Sequence, residues 1–284
     1  MQSPLHATRP LLRAVMFAVA FAAAVVTIAA LPARAADRDR LQAYLEVTGF
    51  GVALDSIALA AADAPAMLAL SASHFGHEWE RVAAEVFETE RMRDMALDVL
   101  SETLDDEMLA HAAEFYASDL GQRLVTVENA SHMREDDDAK RAEGLELLTE
   151  MPEARREVLR DMNAAVDSAG TGVRAVQEIQ VRFLLAASYA GVLEYDLDEQ
   201  ALRALMAEGE AELRAQIEAS ALANAAATYA SLSTEDLRAY VEALEHPVMA
   251  RVYELMNAVQ YEIMANRFEV LAARMAELQP AQEL

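Results

Sequence analysis

The best candidate for a metal site in the chain is His74-Phe-Gly-His77-Glu78. Two histidines three residues apart can share one face of a helix, and a carboxylate follows directly. A zinc site needs a third ligand, and a catalytic one also needs a positioned base. The run is not an H-E-x-x-H pattern, and Gly76 weakens any helix between the histidines. It reads as two surface or helix-end histidines beside Trp79. Asp136-Asp137-Asp138 offers carboxylates to calcium, but without the alternating ligands and central glycine of an EF-hand loop. It reads as an acidic helix start, where carboxylates oppose the positive end of the helix dipole. Gly170-Thr-Gly172 resembles half of a phosphate loop, yet no strand precedes it. A linker between two halves of the chain is the simpler account.

Nucleophilic chemistry has less to draw on. There is no cysteine and no G-x-S-x-G elbow. Lys140, the only lysine, lies in a charged stretch and is expected at the surface, which argues against a desolvated Schiff-base amine. Glu114 and Glu242 sit at equivalent positions of two similar segments, as do Arg123 and Arg251, and the arginines are expected to pair with these acids across a helical corner. No catalytic, cofactor-binding or metal-ligating residue is therefore assigned from sequence, no cofactor is implied, and nothing in the residue pattern supports an enzyme. Met92, Met95, Met249, Met256 and Met264 fall where helices are expected to meet. Methionine lines adaptable grooves as well as irregular cores, and helical spacing favours the core.

The elements that must position these residues are helices. Nine glycines and seven prolines in 284 residues leave long uninterrupted runs of helix formers. Leu237, Tyr240, Val241 and Leu244 follow helical spacing, and Val248, Val252, Leu255, Met256, Val259 and Ile263 continue it. The fold class is all-α. Pro65, Pro152 and Pro247 suit first helical positions, and Asp196-Leu-Asp-Glu199 and Ser233-Thr-Glu-Asp236 read as capping boxes. The stretch from about Glu199 to Ser231 is one long helix or two with a kink at Gly209.

Residues 104–130 align without gaps on 232–258 at a constant offset of 128, with seven identities that include Glu107/Glu235, Leu109/Leu237, Arg123/Arg251 and Asn129/Asn257. About two would be expected by chance, so the spacing predicts a duplicated antiparallel helical hairpin. Two related multi-helix halves follow, over 36–168 and 173–284. At the first corner Ser118 can cap the returning helix and Gly121 can let the helices approach closely. At the second, Pro247 sets the helix start and Met249 replaces the glycine.

That corner, Phe115-Tyr116-Ala117-Ser118-Asp119-Leu120-Gly121-Gln122, resembles the phenylalanine-tyrosine-x-serine-proline-x-glycine segment of a family of exported bacterial helical domains. The family is catalogued as domain of unknown function number twenty fifty-nine. Asp119 stands where the family has proline; the second copy keeps Pro247 but lacks the serine and glycine. The resemblance implies an all-helical extracytoplasmic protein and brings no catalytic residues with it.

Residues 1–35 read as a cleavable signal peptide. Arg9 and Arg13 precede an uncharged run from Ala14 to Leu31, and Pro32 and Ala33-Arg34-Ala35 supply a break and a small-residue cleavage site. Cleavage after Ala35 would leave no stable membrane anchor, and without cysteine no lipid can be attached there. The periplasm is the expected location. Removing three arginines and no acid takes the net charge from −25 to −28. Such a surface repels phosphate backbones, so no nucleic-acid partner is expected. The functional expectation is a non-catalytic interaction or structural module with an envelope protein partner; a carrier or sensor for a small apolar ligand or lipid is the alternative, and a metal-dependent hydrolase comes third.

Overall fold

The computed structural model describes residues 38–278 except 168, 169 and 194; the expected signal peptide and its cleavage site lie outside the described residues. All regular structure among the described residues is helical. In chain order the α-helices are α1 Arg38–Thr48, α2 Phe50–Ser56, α3 Ala64–Met67, α4 Trp79–Val86, α5 Thr89–Thr103, α6 Asp106–Tyr116 and α7 Asp119–His132. They continue as α8 Asp137–Glu150, α9 Glu153–Val166, α10 Gly172–Tyr189, α11 Glu199–Glu208, α12 Glu210–Thr228, α13 Thr234–Leu244 and α14 Pro247–Leu278. Short 3₁₀ turns, Ile57–Asp63 and Ala72–Phe75, flank α3. No single described helix is long and apolar enough to cross a membrane.

The organising element is α14. Its 32 residues rise about 48 Å at 1.5 Å per residue. Val252, Tyr253, Met256, Ile263, Phe268 and Leu271 are among the residues it buries over most of its circumference, while Arg251, Glu254, Glu262, Glu269 and Glu277 mark one partly exposed side. It packs on α10 along its length and on α4, α5 and α6 from the first half of the chain. The other dense layers are α8 on α12 and α9 on α13, each joining a first-half helix to a second-half one. One continuous apolar cluster consequently includes residues from both sequence halves. The methionines belong to it as expected: Met92, Met249, Met256 and Met264 are buried, and Met95 packs against the cluster half-buried.

Local signals determine the corners. The segments 104–130 and 232–258 each form helix, two-residue corner and helix. Their boundaries correspond at the offset of 128: Asp106–Tyr116 with Thr234–Leu244, and helix starts at Asp119 and Pro247. Asp105 accepts a hydrogen bond from Met108 N at 2.8 Å, and Ser233 accepts one from Asp236 N at 3.0 Å in a full capping box. Ser118 caps α7 by accepting from Gly121 N. A Cβ on Gly121 would lie 2.3 Å from the Phe115 carbonyl oxygen, so only glycine allows this corner to close as it does. The boundaries elsewhere differ by a residue or two: Asp198, not Asp196, caps α11, and Pro152 is the N-cap of α9. Gly209 separates α11 from α12.

The paired acids and arginines do not meet as expected. Arg123 forms a two-pronged ion pair with Asp236, at 2.7 and 2.8 Å, instead of Glu114. Arg251 reaches Asp105 at 3.5 Å and Glu107 at 3.7 Å instead of Glu242. Each arginine crosses to the capped helix start of the other segment, and α14 packs on α6 where Arg251 does so.

Candidate functional site

Glu128 faces inward from α7 and is held by phenols. Its Oε1 accepts hydrogen bonds from Tyr229 Oη at 2.7 Å and Tyr240 Oη at 3.0 Å. Tyr240 Oη also lies 2.7 Å from Tyr253 Oη and 3.2 Å from Tyr116 Oη, and Tyr116 and Tyr253 bond to each other. The four rings come from the end of α6, the segment between α12 and α13, α13 and α14. Phe115 stacks on Tyr240 at a centroid distance of 5.9 Å, and Phe50 meets the edges of Tyr116 and Tyr253. Burial pushes the Glu128 carboxyl above its ordinary range, against the pull of the two phenol donors. It raises the phenols as well, and the nearby Glu128 charge adds to the effect at Tyr229 and Tyr240.

Beside this cluster is a cavity of about 130 Å³. Glu128, Asn129 and His132 of α7, Lys140 of α8, Asn163 of α9 and Asn224 of α12 supply its polar wall. Gly49, Phe50, Tyr116, Tyr229, Tyr240 and Tyr253 line it as well. Gly49 turns the chain by 80° between α1 and α2 with φ +77°, and a Cβ there would lie 2.7 Å from Asn129 Oδ1. The Asn129 and Asn224 side-chain oxygens are buried and have no hydrogen-bond partner among the described residues. Buried amide oxygens of this kind are ordinarily satisfied by protein, water or ligand.

Lys140 overturns its expected exposure: it is 5% exposed. The cause is the crossing of α8 over α12. At Gly144, one turn further on, a Cβ would lie 1.8 Å from the Ala223 carbonyl oxygen, so the backbones touch and the neighbouring face of α8 is closed. The amine is pushed down to about 8, mainly by burial; Asp137 opposes the shift and Arg134 adds to it. Burial, with the Lys140 charge, takes His132 down to about 4, so its imidazole is neutral at pH 7.

Residues 90–150 match the family model described as an uncharacterized protein conserved in bacteria (DUF2059). No curated protein and no solved structure matches the chain. The DUF2059 segment runs from the start of α5 to the end of α8 and carries the Phe115–Gln122 corner. It supplies Tyr116, Glu128, Asn129, His132 and Lys140; Asn224, Tyr229, Tyr240 and Tyr253 close the cavity from outside it.

The motifs weighed in the sequence lie elsewhere. His74 is in a 3₁₀ turn and His77 in the following loop, both exposed, with His77 Nε2 3.4 Å from Glu78. No group of three or more potential metal ligands is found among the described residues. Asp136 caps α8 by accepting from Ala139 N, and Asp137 and Asp138 occupy its first turn, as an acidic helix start should. The Gly170-Thr-Gly172 amides are occupied by protein: Thr171 N and Gly172 N donate to the Asp167 carboxylate at 2.9 and 3.1 Å. His111 and His246, which no sequence motif joins, stack at 4.3 Å where α6 meets the second corner.

Proposed function

We propose that the chain is an exported, non-catalytic binding protein that carries or senses a small polar molecule in the cavity between α7, α8 and α12. The carrying observation is that cavity: about 130 Å³, walled by Glu128, Lys140 and two buried amides with unpartnered oxygens. A dry cavity of about 150 Å³ can hold benzene, so this volume suits a ligand of comparable size or a few waters. Its lining favours a polar ligand, whereas from sequence alone a protein-interaction module came first and a carrier of an apolar ligand second. Export rests on the leader pattern of residues 1–35.

The same reading includes an internal duplication. It is supported by the seven identities, the corresponding helix boundaries and the reciprocal reach of Arg123 and Arg251. The cavity then belongs to the junction of two related hairpins, a common place for ligand sites in helical proteins.

A protein partner is the second reading. Tyr189, Tyr195 and Leu205 are largely exposed, and α11 has no buried residue. Native mass spectrometry of the protein purified gently from its own envelope tests both, with crosslinking before lysis. A small molecule retained by wild type and lost on Asn224→Leu is the expected result. Reproducible protein crosslinks with no retained small molecule would sink the first reading in favour of the second. The same spectra should place the mature N-terminus directly after Ala35.

A further inference from the structure

Lys140 is the only lysine of the chain, its side chain is buried, and it shares the cavity with Glu128 and the two amides. We infer that the Lys140 amine reversibly captures a short hydroxylated aldehyde or ketone as an imine inside this cavity. The inference rests on the small-ligand reading above and adds the chemistry of capture.

Two features give the ligand its class. Lys140 lines a volume of about 130 Å³, and a carbonyl carbon is the electrophile with which an amine reacts reversibly. The buried Asn129 and Asn224 amides need partners, and a hydroxyl, which both donates and accepts, satisfies an amide in either orientation. A three-carbon hydroxy-carbonyl compound fits the space and carries both functions. In the capture step the Lys140 nitrogen adds to the carbonyl carbon. The carbonyl oxygen takes a proton released from nitrogen, and the resulting carbinolamine loses its hydroxyl with a second nitrogen proton as water. Hydrolysis reverses every step, so no further reactant is needed.

The surroundings favour the unprotonated amine that this step requires. The titratable groups facing the cavity are Glu128 and His132 from α7, Lys140 itself, and the tyrosines; the linings from α2, α9 and α12 bring no charge. Asp137, on the first turn of α8, favours the ammonium form, but burial and Arg134 outweigh it and hold the amine at about 8. At pH 7.5 roughly a quarter of such an amine is unprotonated, against about one part in a thousand of an ordinary lysine. Glu128, whose carboxyl burial raises, lines the same cavity.

The test is reductive trapping of the purified protein with glyceraldehyde and cyanoborohydride at pH 7.5, followed by peptide mapping. Besides Lys140 the only primary amine is the chain's α-amino group, which serves as an internal reference. Folded protein should be labelled at Lys140 at least tenfold faster than urea-unfolded protein, and the rate should saturate with aldehyde. Glycerol, which has the hydroxyls but no carbonyl, should slow that labelling and raise the melting temperature of both wild type and Lys140→Met. Labelling of the α-amino group alone in folded protein overturns imine capture. If glycerol and glyceraldehyde still stabilise wild type in that case, the small-ligand reading survives; if neither does, that reading falls too.

Discussion

A carboxylate oxygen that accepts from two buried phenols, as Glu128 does from Tyr229 and Tyr240, holds three elements in one arrangement. Tyr240→Phe keeps the ring stacked on Phe115 while removing a donor to Glu128 and the contact with Tyr253. Leaving buried acceptors unmet costs about 1–3 kcal/mol, and urea denaturation should show a loss of that size. Lys140 acts in the opposite sense. The fall of its amine from 10.5 to about 8 means that the charged form is disfavoured in the folded protein by about 3 kcal/mol. Below pH 8 both folded and unfolded chains carry the proton, and the whole penalty is present. Between pH 8 and 10.5 the unfolded chain binds more protons, so stability rises with pH. Lys140→Met should therefore stabilise the protein by about 1–3 kcal/mol at pH 7, with the advantage fading by pH 10.5. A methionine variant that is less stable than wild type at pH 7 would show that the lysine's local contacts outweigh its desolvation.

At the level of elements, what could be read from sequence was what neighbouring residues decide. Caps at Ser118 and Ser233, the break at Gly209 and the tight first corner at Gly121 all rest on contacts within a few residues. The candidate site rests on contacts between distant segments and was not legible in the same way. Tyr240 reads as one more apolar position of a helical stripe, and nothing adjacent marks Glu128 as a buried acid. Lys140 looks exposed because α8 is charged along most of its length. Its burial depends on Gly144 meeting Ala223, a crossing between residues about 80 positions apart. Two glycine substitutions separate these local and distant causes. Gly144→Ala places a methyl into the α12 backbone and should cost about 1–3 kcal/mol as the helices are forced apart. Gly209→Ala meets no atom closer than 3.8 Å and has φ −92°, so it should be neutral or stabilise by up to about 1 kcal/mol. Thermal melts of both variants check this, and equal effects would mean that the α8–α12 crossing is not tight.

For the whole molecule, the question is whether the sequence halves 36–168 and 173–284 are also two units of folding. The packing argues that they are not. Central α14 from the second half covers α4, α5 and α6 of the first, while α8 and α9 of the first half lie on α12 and α13 of the second. The cavity has walls from both, with Lys140 on one side and Asn224 on the other. Separating the halves would expose Tyr253, Met256 and Phe268 on one side and Met92, Leu100 and Tyr116 on the other, all buried in the intact chain. Full burial of a large apolar side chain contributes about 1.5–3 kcal/mol, so losing several exceeds the 5–15 kcal/mol by which a domain is ordinarily stable. Fragments 36–168 and 173–284 should each lack a cooperative thermal transition, and an equimolar mixture should regain helical circular dichroism and one shared transition. A sharp transition in either fragment alone would make the halves independent domains. The cavity would then lie at an interface free to open, and its ligand would be expected to tie the two together.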